Sequence, residues 1–294
     1  LSVVSLTALV AAAGAGCATS SSGSAADGSK TGGSTMQASP LEAVRLAEKT
    51  SSGASSFTGT LSLAATAKAG AMTGPAGARE TSMTASFAER LRPSLVADVS
   101  IGTLSSGGMS LPGGLTEIVT PAAFYLKWPY LTQQLHLSKP WLAIPESAMS
   151  KSSGVNFTQL FNQASTDGPL TQARLLAGAT GVHQVGTGEI NGVPVTEYAG
   201  QVSLSEGLKY LSGSAKTRVQ QTLAKAGITT ATFTVWIDAQ HILRKQALVE
   251  SGKSLSETIT TTITSINQPV TVNPPPASQT TAMPGANMNG TTAG

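Results

Sequence analysis

The sequence predicts an α+β chain built on one large, curved, mostly antiparallel sheet with a few amphipathic helices over its concave face. Three observations lead there. Side chains alternate at period two along most runs between Phe57 and Ile266. Clusters of Gly, Pro and Ser separate those runs, as in an antiparallel meander. Stretches of helical period, in three separate insertions, supply the cover that a one-sided apolar sheet requires.

The elements follow in order. Ser39-Pro40-Leu41-Glu42 has the form of a capping box, with Pro at the first helical position, and Leu41, Val44 and Ala47 then share one face. After Gly53 the period changes to two: Phe57, Gly59, Leu61, Leu63 and Ala65 alternate with polar or small residues. Met83, Ala85 and Phe87 repeat the pattern, as do Leu95, Ala97, Val99 and Ile101. Further strands are expected at Ile118–Thr120, Ala123–Trp128, Leu135–Leu137 and Trp141–Ile144. Helical spacing returns at Phe157, Leu160, Phe161 and Ala164, and again at Leu170, Ala173 and Ala177, ending at Gly178. Strands resume at His183–Ile190, and Asn191-Gly192 signals a type I′ hairpin into Val193–Leu204. Ser205 caps a helix carrying Leu208, Leu211, Ala215, Val219 and Leu223 on one face, with a break plausible at Gly213. Thr229–Asp238, Ile242–Glu250 and Leu255–Ile266 complete the sheet.

The ends have a different composition. Leu1–Gly16 carries no charge and tapers into small residues, as a signal peptide does before its cleavage site. It is shorter than the roughly 20 residues that span a bilayer. Cys17, the single cysteine of 294 residues, follows directly. Gly14-Ala15-Gly16-Cys17 resembles the lipobox of bacterial lipoproteins, in which that cysteine receives a diacylglycerol thioether. Two features depart from the pattern: Gly14 stands where Leu is usual, and no basic residue precedes the apolar run. Residues 17–38 then read as the lipidated cysteine and a flexible Ser/Gly tether, too poor in large apolar groups to offset ordering entropy. The folded domain is expected over 39–272, with a disordered tail over 273–294.

Composition narrows the function. Charged residues are 11% and the formal charge is +3, with no basic cluster interleaved with aromatics, so nucleic acid is not an expected partner. His136, His183 and His241 are far apart and lack partners at metal-ligand spacing, so neither a metal nor a cofactor is expected. No nucleophile elbow or phosphate loop is present. Asp98, Glu117, Glu189, Glu197 and Asp238 form no recognisable acid–base pair, and each reads as structural. Asp238 sits where an Asp commonly caps a turn. The chain therefore reads as a binding protein rather than an enzyme.

Three stretches carry a family likeness: Phe124-Tyr125-Leu126-Lys127-Trp128-Pro129 with Lys139-Pro140-Trp141-Leu142; Gly188-Glu189-Ile190-Asn191-Gly192-Val193-Pro194-Val195-Thr196-Glu197-Tyr198; and Phe233-Thr234-Val235-Trp236-Ile237-Asp238-Ala239-Gln240 with Ile242-Leu243-Arg244-Lys245. With the lipobox, tether and short helix ahead of them, they make the chain resemble actinobacterial lipoproteins of the LolA-like group, the LppX and LprG type. That resemblance implies a half-barrel whose concave face accepts acyl chains, and lipid handling outside the cytoplasmic membrane.

The expected function is then a lipid-anchored protein on the outer face of the cytoplasmic membrane that binds or carries a lipid or other apolar ligand. The alternative is a sensor or scaffold lipoprotein with an envelope protein as partner. Leu61, Leu63, Phe87, Val99, Ile101, Leu126, Phe233 and Val235 are the candidate lining residues. They serve equally well as an ordinary core packed against the helices. Alternation identifies the apolar face without saying what fills the space beside it.

Overall fold

The computed structural model describes residues 39–67, 79–111, 114–145, 176–210, 216–217, 220–221, 224 and 227–283. It opens on helix α1, Pro40–Ser52. The Ser39 hydroxyl accepts from the Glu42 N–H at 3.3 Å, and Pro40 occupies the first turn, where its missing N–H costs no hydrogen bond. Ala43, Val44 and Ala47 form the buried face of α1.

The strands are β1 (Ser56–Ala67), β2 (Arg79–Arg90), β3 (Val96–Ser106), β4 (Met109–Leu111), β5 (Leu115–Val119), β6 (Ala123–Lys127) and β7 (Trp141–Pro145). They continue as β8 (Ala179–Ile190), β9 (Val193–Ser203), β10 (Thr230–Asp238), β11 (Leu243–Ser251), β12 (Leu255–Ile266) and β13 (Thr280–Ala282). All belong to one sheet in the order β13-β7-β6-β5-β3-β2-β1-β12-β11-β10-β9-β8, with β4 paired to β3. Every pairing is antiparallel except β13 on β7. The β1–β12 ladder joins an early half of the sheet to a late half. Register shifts at Thr58/Gly59, Thr84/Ala85 and Trp236/Ile237 bend and twist the strands, and the sheet is curved and open.

Asn191 and Gly192 both take positive φ, 50° and 80°, as a type I′ turn demands. Other expectations are corrected. Leu135–Leu137 is no strand: it follows α2 (Pro129–Gln134), a short helix started by Pro129, with Leu135 and His136 in a turn. Strand β5 begins at Leu115 rather than Ile118. The tail expectation fails for 277–282, where a 3-10 turn, Ala277–Gln279, leads into β13. There the Lys139 ammonium donates to the Ala277 and Thr280 carbonyls, both at 3.0 Å, and the Met283 N–H donates to Ala143. From Ser205, α3 (Leu204–Gly207) passes into a 3-10 turn, Leu208–Tyr210. The signal, Cys17, the tether and the helical spacing at 157–173 lie outside the described residues.

Hydroxyls furnish much of the outer face. Thr84 meets Thr103 at 2.7 Å, Ser82 meets Ser105 at 2.8 Å, and Thr58 meets Thr264 at 2.7 Å. Such cross-strand pairs solvate the sheet with few charges.

Candidate functional site

Register places all eight candidate lining residues on the inner face, but in two separate groups. Phe233 and Val235 of β10 belong to a cluster with Val44 and Ala47 of α1, Leu176, Val202 and Leu248. Helix α1 packs on β8, β10 and β11 there, so both side chains lie in a filled core and are 2% and 0% exposed. The other six lie on the early half of the sheet. Val99, Ile101 and Leu126 are buried with Met83, Ala85, Leu115 and Phe124, and Leu61, Leu63 and Phe87 pack on them half-buried. Among the described residues Leu131 of α2 is the one helical residue in that cluster, beside Trp128 at the rim. A third cluster around Phe57, Leu91 and Leu95 closes one end, with Phe57 and Phe87 edge to face at 6.0 Å.

Carboxylates occupy inner-face positions; the sequence reading took Glu117 as structural and did not single out Glu89, Glu250 or Glu257. Glu89 stands between Phe57 of β1 and Ala97 of β3, and is 3% exposed. Glu117 stands between Val99 of β3 and Leu126 of β6, and is 4% exposed. Among the described residues neither makes a hydrogen bond or ion pair. Loss of water pushes Glu117 up to about 7 and Glu89 up to about 8, because burial penalises the charged form. Glu250 and Glu257 are direct cross-strand partners at the β11–β12 hairpin end. Burial first, and then the Glu257 charge, push Glu250 up to about 7; burial raises Glu257 as well. The signal was present in the sequence: Glu89 keeps phase with Met83, Ala85 and Phe87, and Glu117 with Leu115.

The remaining candidates are structural. Asp238 Oδ1 accepts from the Gln240 and Ile242 N–H groups, each at 2.9 Å, and Oδ2 accepts from Arg244 Nε at 2.7 Å. Trp236 lies on the outer face under the Lys245 ammonium, 4.4 Å from the ring centroid, and Lys127 sits 5.9 Å over Trp141. His183 contacts the Gly181 carbonyl at 3.0 Å through Nδ1. His136 and His241 occupy turn positions with positive φ. Asp98, in phase with the outer face, is raised by burial. Among the described residues no three His, Cys, Asp or Glu gather at metal-binding geometry, and no helix is long and apolar enough to cross a membrane.

No family model matches the sequence. A protein of Streptomyces griseus described as an uncharacterized 31.2 kDa protein in the rplA-rplJ intergenic region is 26% identical over 129 residues. The match spans 42% of this chain and 41% of that protein, less than half of either. Solved structures similar to the chain include two mycobacterial lipoproteins. One is LppX of Mycobacterium tuberculosis, 20% identical with a TM-score of 0.43, covering 80% of this chain and 98% of that one. The other is LprF of Mycobacterium bovis, 12% identical with a TM-score of 0.43 and coverages of 80% and 96%. A LolA superfamily protein of Nitrosomonas europaea is 8% identical with a TM-score of 0.27, covering 80% and 95%. Lipoproteins of the group the sequence resembles thus stand among its structural neighbours.

Proposed function

We propose that this protein is held by lipid on Cys17 at the outer face of the cytoplasmic membrane and binds or carries a lipid or other apolar ligand there, as a binding protein and not an enzyme. One observation carries the ligand reading: among the described residues the two halves of the inner face are covered unequally. On the late half α1 packs over Phe233 and Val235. On the early half Leu61, Leu63, Phe87, Leu104 and Ile144 stay half-exposed on a concave apolar surface. A core closed on itself packs to crystal-like density; apolar walls with a few placed polar groups suit an acyl chain. The anchor rests on Gly14–Cys17 and the Ser/Gly-rich stretch after it, since two acyl chains hold a protein stably on a bilayer.

The test is mass spectrometry of organic extracts from the full chain purified from its host. A stoichiometric co-purifying lipid is expected. No lipid, together with no uptake of a fluorescent acyl probe, would turn the reading to a scaffold for an envelope protein. For the anchor, Cys17→Ser is expected to release the protein into the medium or to leave it unprocessed. Normal processing with unchanged membrane association would remove that claim.

A further inference from the structure

Glu89 and Glu117 raise the question of what an apolar ligand must look like to sit beside them. Each carboxyl is walled by hydrocarbon: Phe57 and Ala97 flank Glu89, while Val99 and Leu126 flank Glu117. Among the described residues neither has a cationic partner. Inner-face positions from β1 to β7 hold no Lys, and their one Arg, Arg79, is at the opposite end of β2 from Glu89. The nearby cations Lys127 and Arg90 occupy outer-face registers, Lys127 beside Thr116 and Arg90 beside Ser56. Helix α2, which packs on the same patch, contributes no charged side chain. Glu250 and Glu257, at the hairpin end of the adjoining strands, add the same sign.

From this arrangement we propose that the open half of the inner face selects an uncharged apolar ligand bearing hydroxyl or ester oxygens, and that Glu117 and Glu89 turn away anionic amphiphiles. The proposal rests on the carrier reading above and names its substrate class. A protonated carboxyl offers one donor and one acceptor, the complement of an alcohol or an ester. An anionic headgroup finds no cation among the described residues of this face and meets like charge whenever either carboxyl ionises. A cationic amphiphile would have to form its ion pair away from water, where desolvation of both charges offsets their attraction.

The experiment is competition against a fluorescent diacylglycerol bound to the full chain, with hexadecanol, palmitate and hexadecylamine as competitors at about pH 8.5. Hexadecanol is expected to compete about tenfold better than palmitate, a gap of about 1.4 kcal/mol. In Glu117→Gln that gap should shrink at least about threefold, chiefly through tighter palmitate binding. Glu89→Gln provides a second reading should Glu117→Gln unfold, which thermal melting reports. Equal competition by alcohol and acid, a gap unchanged in both variants, or hexadecylamine as the best competitor would each overturn the proposal. If the diacylglycerol itself fails to bind, the carrier reading falls first and takes the selectivity with it.

Discussion

Phe233 lies over Gly200 on the neighbouring strand. The two are register partners on β10 and β9, and a Cβ added to Gly200 would stand 2.7 Å from the Phe233 Cζ atom. Phe87 covers Gly59 the same way across β2 and β1, again at 2.7 Å. Each half of the inner face thus has an aromatic ring folded down on a strand glycine, which packs a position that otherwise weakens a strand. Gly200→Ala should lower stability by about 1–3 kcal/mol through overpacking, read as a shift in the urea midpoint. Adding Phe233→Leu should recover part of the loss; an unshifted midpoint in the single variant would contradict the contact.

Asp238 holds the β10–β11 turn and Arg244 together. Asp238→Ala removes three hydrogen bonds and strands a mostly buried guanidinium, 16% exposed. The expected cost is about 3 kcal/mol in thermal or urea unfolding. Asp238→Asn keeps an acceptor for the two turn N–H groups and should lose less. Equal losses in the two variants would mean that the turn bonds contribute little.

The buried carboxyls set a direction for pH. Glu residues ionise near 4.5 ordinarily; here Glu117 and Glu250 do so near 7, and Glu89 near 8. Between these values the folded chain keeps protons that the unfolded chain has lost. Stability is therefore fullest below about pH 4.5 as far as these groups are concerned, and declines as pH rises through 7 and 8. Melting temperature should fall steadily between about pH 5 and pH 8.5, and Glu89→Gln should flatten the upper part of that fall. A profile identical to that of the parent protein would show that Glu89 is not protonated in the fold.

Lys139 ties the segment around β13 to the edge of β7. Lys139→Met should speed amide exchange at Met283 by about tenfold or more, since charge-assisted hydrogen bonds contribute about 1.5–3 kcal/mol. Exchange in β10 should stay as it was. Unchanged exchange at Met283 would show that strand pairing alone holds the segment.

Much of this architecture was legible because alternation is a local property. Phe57 to Ala65, Met83 to Phe87 and Phe233 to Ile237 each carry their phase in the chain, and every one faces inward as that phase requires. The turn at Asn191-Gly192 and the cap at Ser39 were equally local. What covers a face depends on residues distant in sequence. Nothing near Phe233 or Val235 reveals that α1, some 190 residues earlier, fills the space above them. Helix α2 was missed because Leu135 and Leu137 mimic a strand at period two, whereas Pro129 starts a single helical turn before them. Strand β13 was missed because Thr280–Ala282 is too short to show a period, and its partner β7 lies far away in sequence.

The closure of one side of the sheet by β13 bears on how copies of this chain can associate. The β7 flank is occupied by the chain's own three-residue strand, which leaves only a stub beyond it. The β8 flank offers twelve residues of backbone, interrupted by register shifts near His183 and Gly186. Growth into a ribbon through sheet edges needs two complementary edges on every copy. With one long edge among the described residues, β8 against β8 would give a closed two-fold pair rather than a ribbon.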